Sequence, residues 1–293
     1  MRYLTALVLS LPLVGAYAIF AIGIVLIHRA SRVLNLAHGA MALVPAYTLY
    51  ALSTGGLPML IAFPLALLVG AVLGLAVERS FVRRLRAQGP TAQTVGTVAA
   101  LGVLIALVAK IFGTTALDPV GIFPQGAIPV GVSEIQYGEL GLFATMLAVA
   151  AGLFALLQRT NLGLMMRGSA ESRLGAALHG VNPDRITEFT WALGGLLAGL
   201  AGILLAAVTS LQPYRLPLQA LPGFIAALIG GLGSLPGALA GAAVVGITQG
   251  LVPVLGPIGQ SQGAPQLFLA IVAMVVMATR GSKLVASDVR GDL

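Results

Sequence analysis

Charged residues gather into short intervals between long uncharged apolar blocks, which lie near residues 4–27, 36–53, 57–77, 91–109, 140–157, 189–211, 221–231, 238–255 and 266–277. A helix needs roughly 20 mostly apolar residues to cross the hydrocarbon core. The blocks therefore predict an all-α integral membrane protein, a polytopic bundle of about eight or nine transmembrane helices. Composition sharpens this reading: 58% of residues are hydrophobic and 9% are charged, and the mean hydropathy is +1.00. A soluble domain carries about 25% charged residues, so a soluble enzyme is excluded. The whole of residues 1–293 reads as one transmembrane domain, with no room for a separate soluble one.

The intervals between blocks differ in sign. Glu78, Arg79, Arg83, Arg84 and Arg86 make residues 78–86 basic, whereas residues 113–139 carry Asp118, Glu134 and Glu139 with no Lys or Arg. Excess Lys and Arg mark cytoplasmic loops, so the first segment is expected inside and the second outside. The same rule places residues 158–188, with Arg159, Arg167, Arg173 and Arg185, inside, together with the tail bearing Arg280, Lys283 and Arg290. The net charge of +7 is thus an orientation signal, not a nucleic-acid footprint. The block at residues 4–27 exceeds the h-region of a signal peptide, about 7–15 residues, and reads as the first membrane helix. Nine full crossings put Arg29 and Arg32 inside but leave Arg2 outside. Either Arg2 is tolerated there, or an early segment does not cross fully; a broken helix around residues 35–39 would be such a segment, allowed where protein covers the interruption.

Small residues recur at four-residue spacing in Gly70-xxx-Gly74, Gly195-xxx-Gly199, Ala198-xxx-Gly202 and Gly233-xxx-Gly237-xxx-Gly241. Such seams let helix backbones approach closely in lipid, either within one subunit or between two. Cysteine is absent and there are three histidines, which rules out disulfides and thiolate metal sites and leaves no rich metal site.

The segment at about 158–188 is long for so economical a chain, and a long loop is expected to have a function. Within it, residues 171–180 read as a short helix ended by Gly180, and Asn182-Pro183 as an N-cap with proline at the first helical position. Glu171 through Gly180, followed by Val181-Asn182-Pro183-Asp184-Arg185-Ile186, resembles the cytoplasmic coupling segment of the permease subunits of branched-chain amino-acid ABC importers, with Ala176, Ala177 and Gly180 at its Ala-Ala-x-x-Gly core. Leu34-Asn35-Leu36-Ala37-His38-Gly39 is similar to that family's Asn-x-Ala-His-Gly element. Glu78-Arg79 with Arg83 and Leu85-Arg86 resembles its basic loop, and residues 224–237 match a stretch of its C-terminal half. The chain departs from the pattern at Arg84, where proline is usual, at Leu174-Gly175, at His179, and at Thr279-Arg280-Gly281.

The resemblance implies a multi-pass subunit of the bacterial inner membrane that moves branched-chain amino acids inward. It implies a second permease subunit as heterodimer partner, two ATP-binding cassette subunits, and a periplasmic or lipid-anchored substrate-binding protein. Permeases for urea or short amides share the Asn-x-Ala-His-Gly element and stay open as an alternative. No Gly-x-x-x-x-Gly-Lys-Ser/Thr phosphate loop occurs, so this chain needs no cofactor of its own, and ATP with Mg is expected on the partners. The coupling role falls on Glu171, Arg173, Ala176, Ala177, Gly180, Asn182, Asp184 and Arg185. Asn35, His38 and Gly39 are translocation-path candidates, because polar groups near a membrane interior are costly; Asn35 as a helix cap and His38 as a bond to a neighbouring helix are the competing readings. None of the nine Asp and Glu residues lies in an expected span, which counts against a proton-coupled carrier. A filter motif and rings of charge are missing, which counts against a channel. Neither a His-Glu-x-x-His pair nor a membrane-embedded Gly-x-Ser-Gly is present, so no enzyme activity is expected.

Overall fold

The computed structural model describes residues 2–118, 121–124, 126–130, 133–208, 210–261 and 263–289. Helix α1 (Arg2–Ser31) is the axis of the molecule: its span Ser10–Ser31 is 89% buried. Around it run α2 (His38–Thr54), α3 (Met59–Val77), α4 (Pro90–Phe112) and α5 (Tyr137–Arg159). Two short helices, α6 (Asn161–Glu171) and α7 (Arg173–Leu178), lead to α8 (Pro183–Val208), then α9 (Arg215–Gln219), α10 (Leu221–Gly230), α11 (Leu235–Leu251) and α12 (Ala264–Val289). With no water in the hydrocarbon region, backbone groups are satisfied within helices, and the polar punctuation between blocks fixes where each begins. Ser234 caps α11 by accepting from the Gly237 N–H at 3.1 Å, Thr160 caps α6 through Gly163, and Gln136 with Glu139 forms a capping box at α5.

Burial separates the helices by role. Helix α8 is 78% buried beside α1, whereas the spans of α3, α4 and α5 are 22–28% buried and turn most of their apolar surface outward, as helices facing lipid do. The glycine seams join helices within this chain. A methyl group at Gly74 would overlap the Trp191 carbonyl, and Gly70 meets the Gly195 carbonyl, so α3 and α8 touch backbone to backbone. Gly202 lies on Ala42 of α2, and Gly237 on Gly230 across the turn between α10 and α11.

Among the described residues six helices are long and apolar enough to cross a membrane. Helix α2, the pair spanning Arg215–Gly230, and Ala264–Val276 of α12 are shorter apolar passes, and with them the expected eight or nine is reached. The block at 221–231 is not a full crossing by itself: the ten residues of α10 rise about 15 Å, half of a ~30 Å core. Between α1 and α2 the chain is not helical. Arg32 takes φ +56, and Val33, Asn35 and Ala37 are buried, so the expected interruption exists and lies at residues 32–37. Its Leu36 N–H donates to Thr97 Oγ1 of α4 at 3.1 Å, and the single Thr97 hydroxyl proton is shared between the Thr94 carbonyl at 2.7 Å and the Leu34 carbonyl at 3.2 Å.

One end of the bundle carries Arg29, the end of α3, the corner between α5 and α6, and the start of α8; the positive-inside rule makes it cytoplasmic. At the other end Leu117 bridges Leu211, and a small antiparallel hairpin pairs β1 (Ala127–Val130) with β2 (Ser133–Gln136), a local departure from an all-helical expectation. Ser10 of α1 packs on Gly250 and Val14 on Gly246 of α11, which puts the start of α1 at that outer end. Helix α12 carries Arg280 and Lys283; Arg290 lies outside the described residues.

Candidate functional site

The cytoplasmic end is organised by a cluster of opposite charges. Helix α3 continues into a π-helical turn, Glu78–Val82, closed by the Arg83 N–H on the Glu78 carbonyl at 2.7 Å. Single π-turns of this kind are frequent at functional sites. Here the turn and the residues just after it carry three arginines, Arg79, Arg83 and Arg86, that reach the first turns of α8. Arg79 grips Glu188 with two bonds, Nε at 3.1 Å and Nη2 at 2.8 Å. Arg83 Nη1 joins the same carboxylate at 2.6 Å, and Arg86 Nη1 bonds Asp184 at 2.6 Å. Asp184 and Glu188 are one turn apart on α8 and so share a face. From the other side Arg173 of α7 donates to Asp184 at 2.5 Å and to Thr187 Oγ1 at 3.2 Å. Asp184 is therefore the point where α3, α7 and α8 are tied together. Glu78 is fully buried, with one oxygen on Arg86 at 3.3 Å and the other without a partner.

The arginines of this cluster are 36–55% exposed, and solvent screens such pairs so that each adds little stability. The cluster's contribution is accordingly geometric: it fixes where α7 sits more than it stabilises the fold. Arg79 pairs with Glu188 and not with its neighbour Glu78, so an ion pair local to Glu78-Arg79 is not what forms.

Residues 171–180 form two pieces and not one continuous helix. Glu171 ends α6, and Ser172 turns extended and accepts the Gly175 N–H at 3.0 Å, restarting the chain as α7. Gly180 closes α7 with φ +79, and the Val181 N–H returns to the Ala176 carbonyl at 3.0 Å, the glycine-terminated form. Asn182 Oδ1 accepts from the Asp184 and Arg185 N–H groups at 3.0 and 3.2 Å and caps α8. Ala176 is half-buried; Glu171, Ala177, Gly180 and Arg185 are exposed. Leu174 and Leu178 are 72% and 79% exposed, so with Ala177 they make an apolar face that projects from the membrane end. Sequence reasoning had treated Leu174 only as a departure from pattern and had passed over Leu178, Thr187 and Glu188. The spacing of the two leucines, four residues apart on a short helix, is the signal that was available.

The second set of residues lies deep between α1, α2 and α8. Asn35 Oδ1 accepts the Ala37 N–H at 3.1 Å, and its amide reaches Met41 Sδ at 3.2 Å, so Asn35 is engaged in starting α2. Gly39 packs against Pro217 and Ala220 beside α9, where a side chain would not fit. His38 is 2% exposed, edge-on to Phe20 at 6.1 Å between centroids, with its ring against Gly23. Neither of its nitrogens has a partner, and the expected bond to a neighbouring helix does not form. The residues on α7 and the start of α8 and those around His38 are thus separate groups. Among the described residues no cluster of His, Asp and Glu could hold a metal ion.

Comparison with known proteins identifies the family. Residues 6–279 match the family described as branched-chain amino acid transport system / permease component. The chain is 30% identical over 263 residues to the high-affinity branched-chain amino acid transport system permease protein BraD of Pseudomonas aeruginosa, covering 85% of each chain. It is 27% identical over 256 residues to LivH of Escherichia coli K12, a permease protein of the same description, covering 81% of this chain and 82% of that one. A solved structure, PsaBC from Streptococcus pneumoniae in complex with Fab, shares the fold with a TM-score of 0.51 at 14% identity, covering 94% of this chain and 91% of that chain. The chain is therefore a multi-pass membrane protein that belongs to the permease component family of branched-chain amino acid transport systems.

Proposed function

We propose that this chain is the membrane subunit of an ABC importer that carries branched-chain amino acids across the bacterial inner membrane, beside a second, different permease subunit. ATP and Mg are bound by two separate ATPase subunits, and substrate is delivered by a binding protein on the outer side. The observation that carries this reading is the exposed apolar face of α7, Leu174, Ala177 and Leu178, held on the start of α8 through Arg173 and Asp184. An apolar face of this kind in the cytosol fits a protein partner. Closure of the ATPases moves α7; Asp184 and Glu188 pass that movement to α8 and α3, whose glycine seam makes them move together. Ala176, Ala177 and Gly180 allow close approach, while Glu171 and Arg185 flank the contact.

Branched aliphatic substrates need an apolar path, and this reading runs it beside Asn35, His38 and Gly39, which are packed closed against Phe20, Gly23, Pro217 and Ala220 in this state. The relatives' names favour this substrate class over urea. Uptake of labelled leucine, with labelled urea in parallel, measured in cells with and without the gene, tests the assignment. Loss of leucine uptake alone is expected; loss of urea uptake alone would move the substrate and keep the mechanism.

A further inference from the structure

Where the inner end of α1 meets the corner between α5 and α6, Arg29 and Arg167 line one small pocket with Leu26, Leu157 and Met166. Apart from the two guanidiniums its lining is apolar. Arg167 is anchored by donating back to the Leu157 carbonyl and to Gln158 Oε1. Arg29 is half-buried, and among the described residues no carboxylate pairs with either arginine. Two like charges held together and partly desolvated are unfavourable without an anion between them. Arg29 lies two residues from the inner end of the span Ser10–Ser31, the level of lipid headgroups, and basic pockets between membrane helices on this side bind anionic headgroups.

We propose that the mouth of this pocket, which itself has room for only about 20 Å³, seats the phosphate of one anionic phospholipid against Arg29 and Arg167, with the upper acyl carbons lying outside along its apolar rim. The apolar wall favours a lipid over free phosphate. A bound lipid would pin α1 to the first turns of α6 and so set the position from which α6 and α7 move. The inference depends on the chain being a membrane protein, not on its substrate.

The test uses the full-length chain in a neutral detergent, titrated separately with phosphatidylglycerol, with phosphatidylcholine of the same acyl chains and with inorganic phosphate, reading the thermal unfolding midpoint. Phosphatidylglycerol is expected to raise the midpoint at concentrations about tenfold below phosphatidylcholine, with no effect of phosphate. Arg29→Gln should lose that preference. Arg29→Glu places a carboxylate opposite Arg167; it should fold as well as the parent without lipid and ignore phosphatidylglycerol, which keeps the test decisive if Arg29→Gln folds poorly. An equal phosphatidylglycerol response in the Arg29 variants, or no preference in the parent, overturns the site. A full response to phosphate alone overturns the lipid assignment.

Discussion

A buried imidazole with both nitrogens unpartnered costs about 1–3 kcal/mol, and His38 is in that position. A residue kept only for packing would be better replaced by a hydrocarbon of similar volume. His38→Leu is therefore expected to leave the thermal midpoint unchanged or higher and yet to lower leucine uptake severely; full uptake would reduce His38 to packing. On α7 the expectation is the reverse in kind. Ala177→Arg puts a long cation on the exposed apolar face, so it should abolish uptake at wild-type membrane abundance, and normal uptake at that abundance would remove α7 from the coupling role. The roles of Gly180 and Asn182 were legible in the sequence because caps are local: a glycine after a helix and an Asn-Pro before one need no distant partner. Asp184 was legible as polar and cytoplasmic, but its bonds to Arg86 and Arg173 were not, since one of those partners lies 98 residues away.

Helix α3 and helix α8 meet through glycine. Gly74→Ala is expected to cost about 1–3 kcal/mol, the price of overpacking a closed contact, because the new methyl meets the Trp191 carbonyl. Gly102→Ala on α4 meets nothing within 4 Å and should stabilise by up to about 1 kcal/mol; thermal midpoints of the two variants check the contrast. Asp184→Asn weakens the tie between α7, α3 and α8 without filling space. In the assembled transporter it is expected to leave ATP hydrolysis substantial while transport falls several-fold. A parallel fall in both activities would count against Asp184 as the link. The seams were visible as four-residue spacings, but that pattern left open whether they join helices of one subunit or of two. The pairing of particular seams was not visible, because Gly70-xxx-Gly74 could face any other small surface. Nor did the apolar blocks show the short helix α9 ahead of α10, since Gln212, Arg215 and Gln219 keep residues 212–220 out of any apolar block.

For the whole molecule, charge asymmetry gave the orientation and the fold supplied the parity, with the start of α1 outside and the basic ends of α3 and α5 inside. The chain has no cysteine, so single introduced thiols report directly. Gln88→Cys should label only from the cytoplasm and Thr114→Cys only from outside, using an impermeant maleimide on cells and on inverted vesicles; the opposite pattern would invert the topology. The interruption at residues 32–37 has a further consequence, for biogenesis. The bond that holds this segment on α4 joins the Leu36 N–H, which it shares with the local Leu34 carbonyl, to a hydroxyl 61 residues later in the chain, which a ribosome adding about 5–20 residues per second delivers roughly 3–12 s afterwards. During that interval α2 has no place in the bilayer for its unwound start. The first four helices must then leave the insertion machinery as a group, and a chain stalled before Thr97 should be a target for membrane quality control.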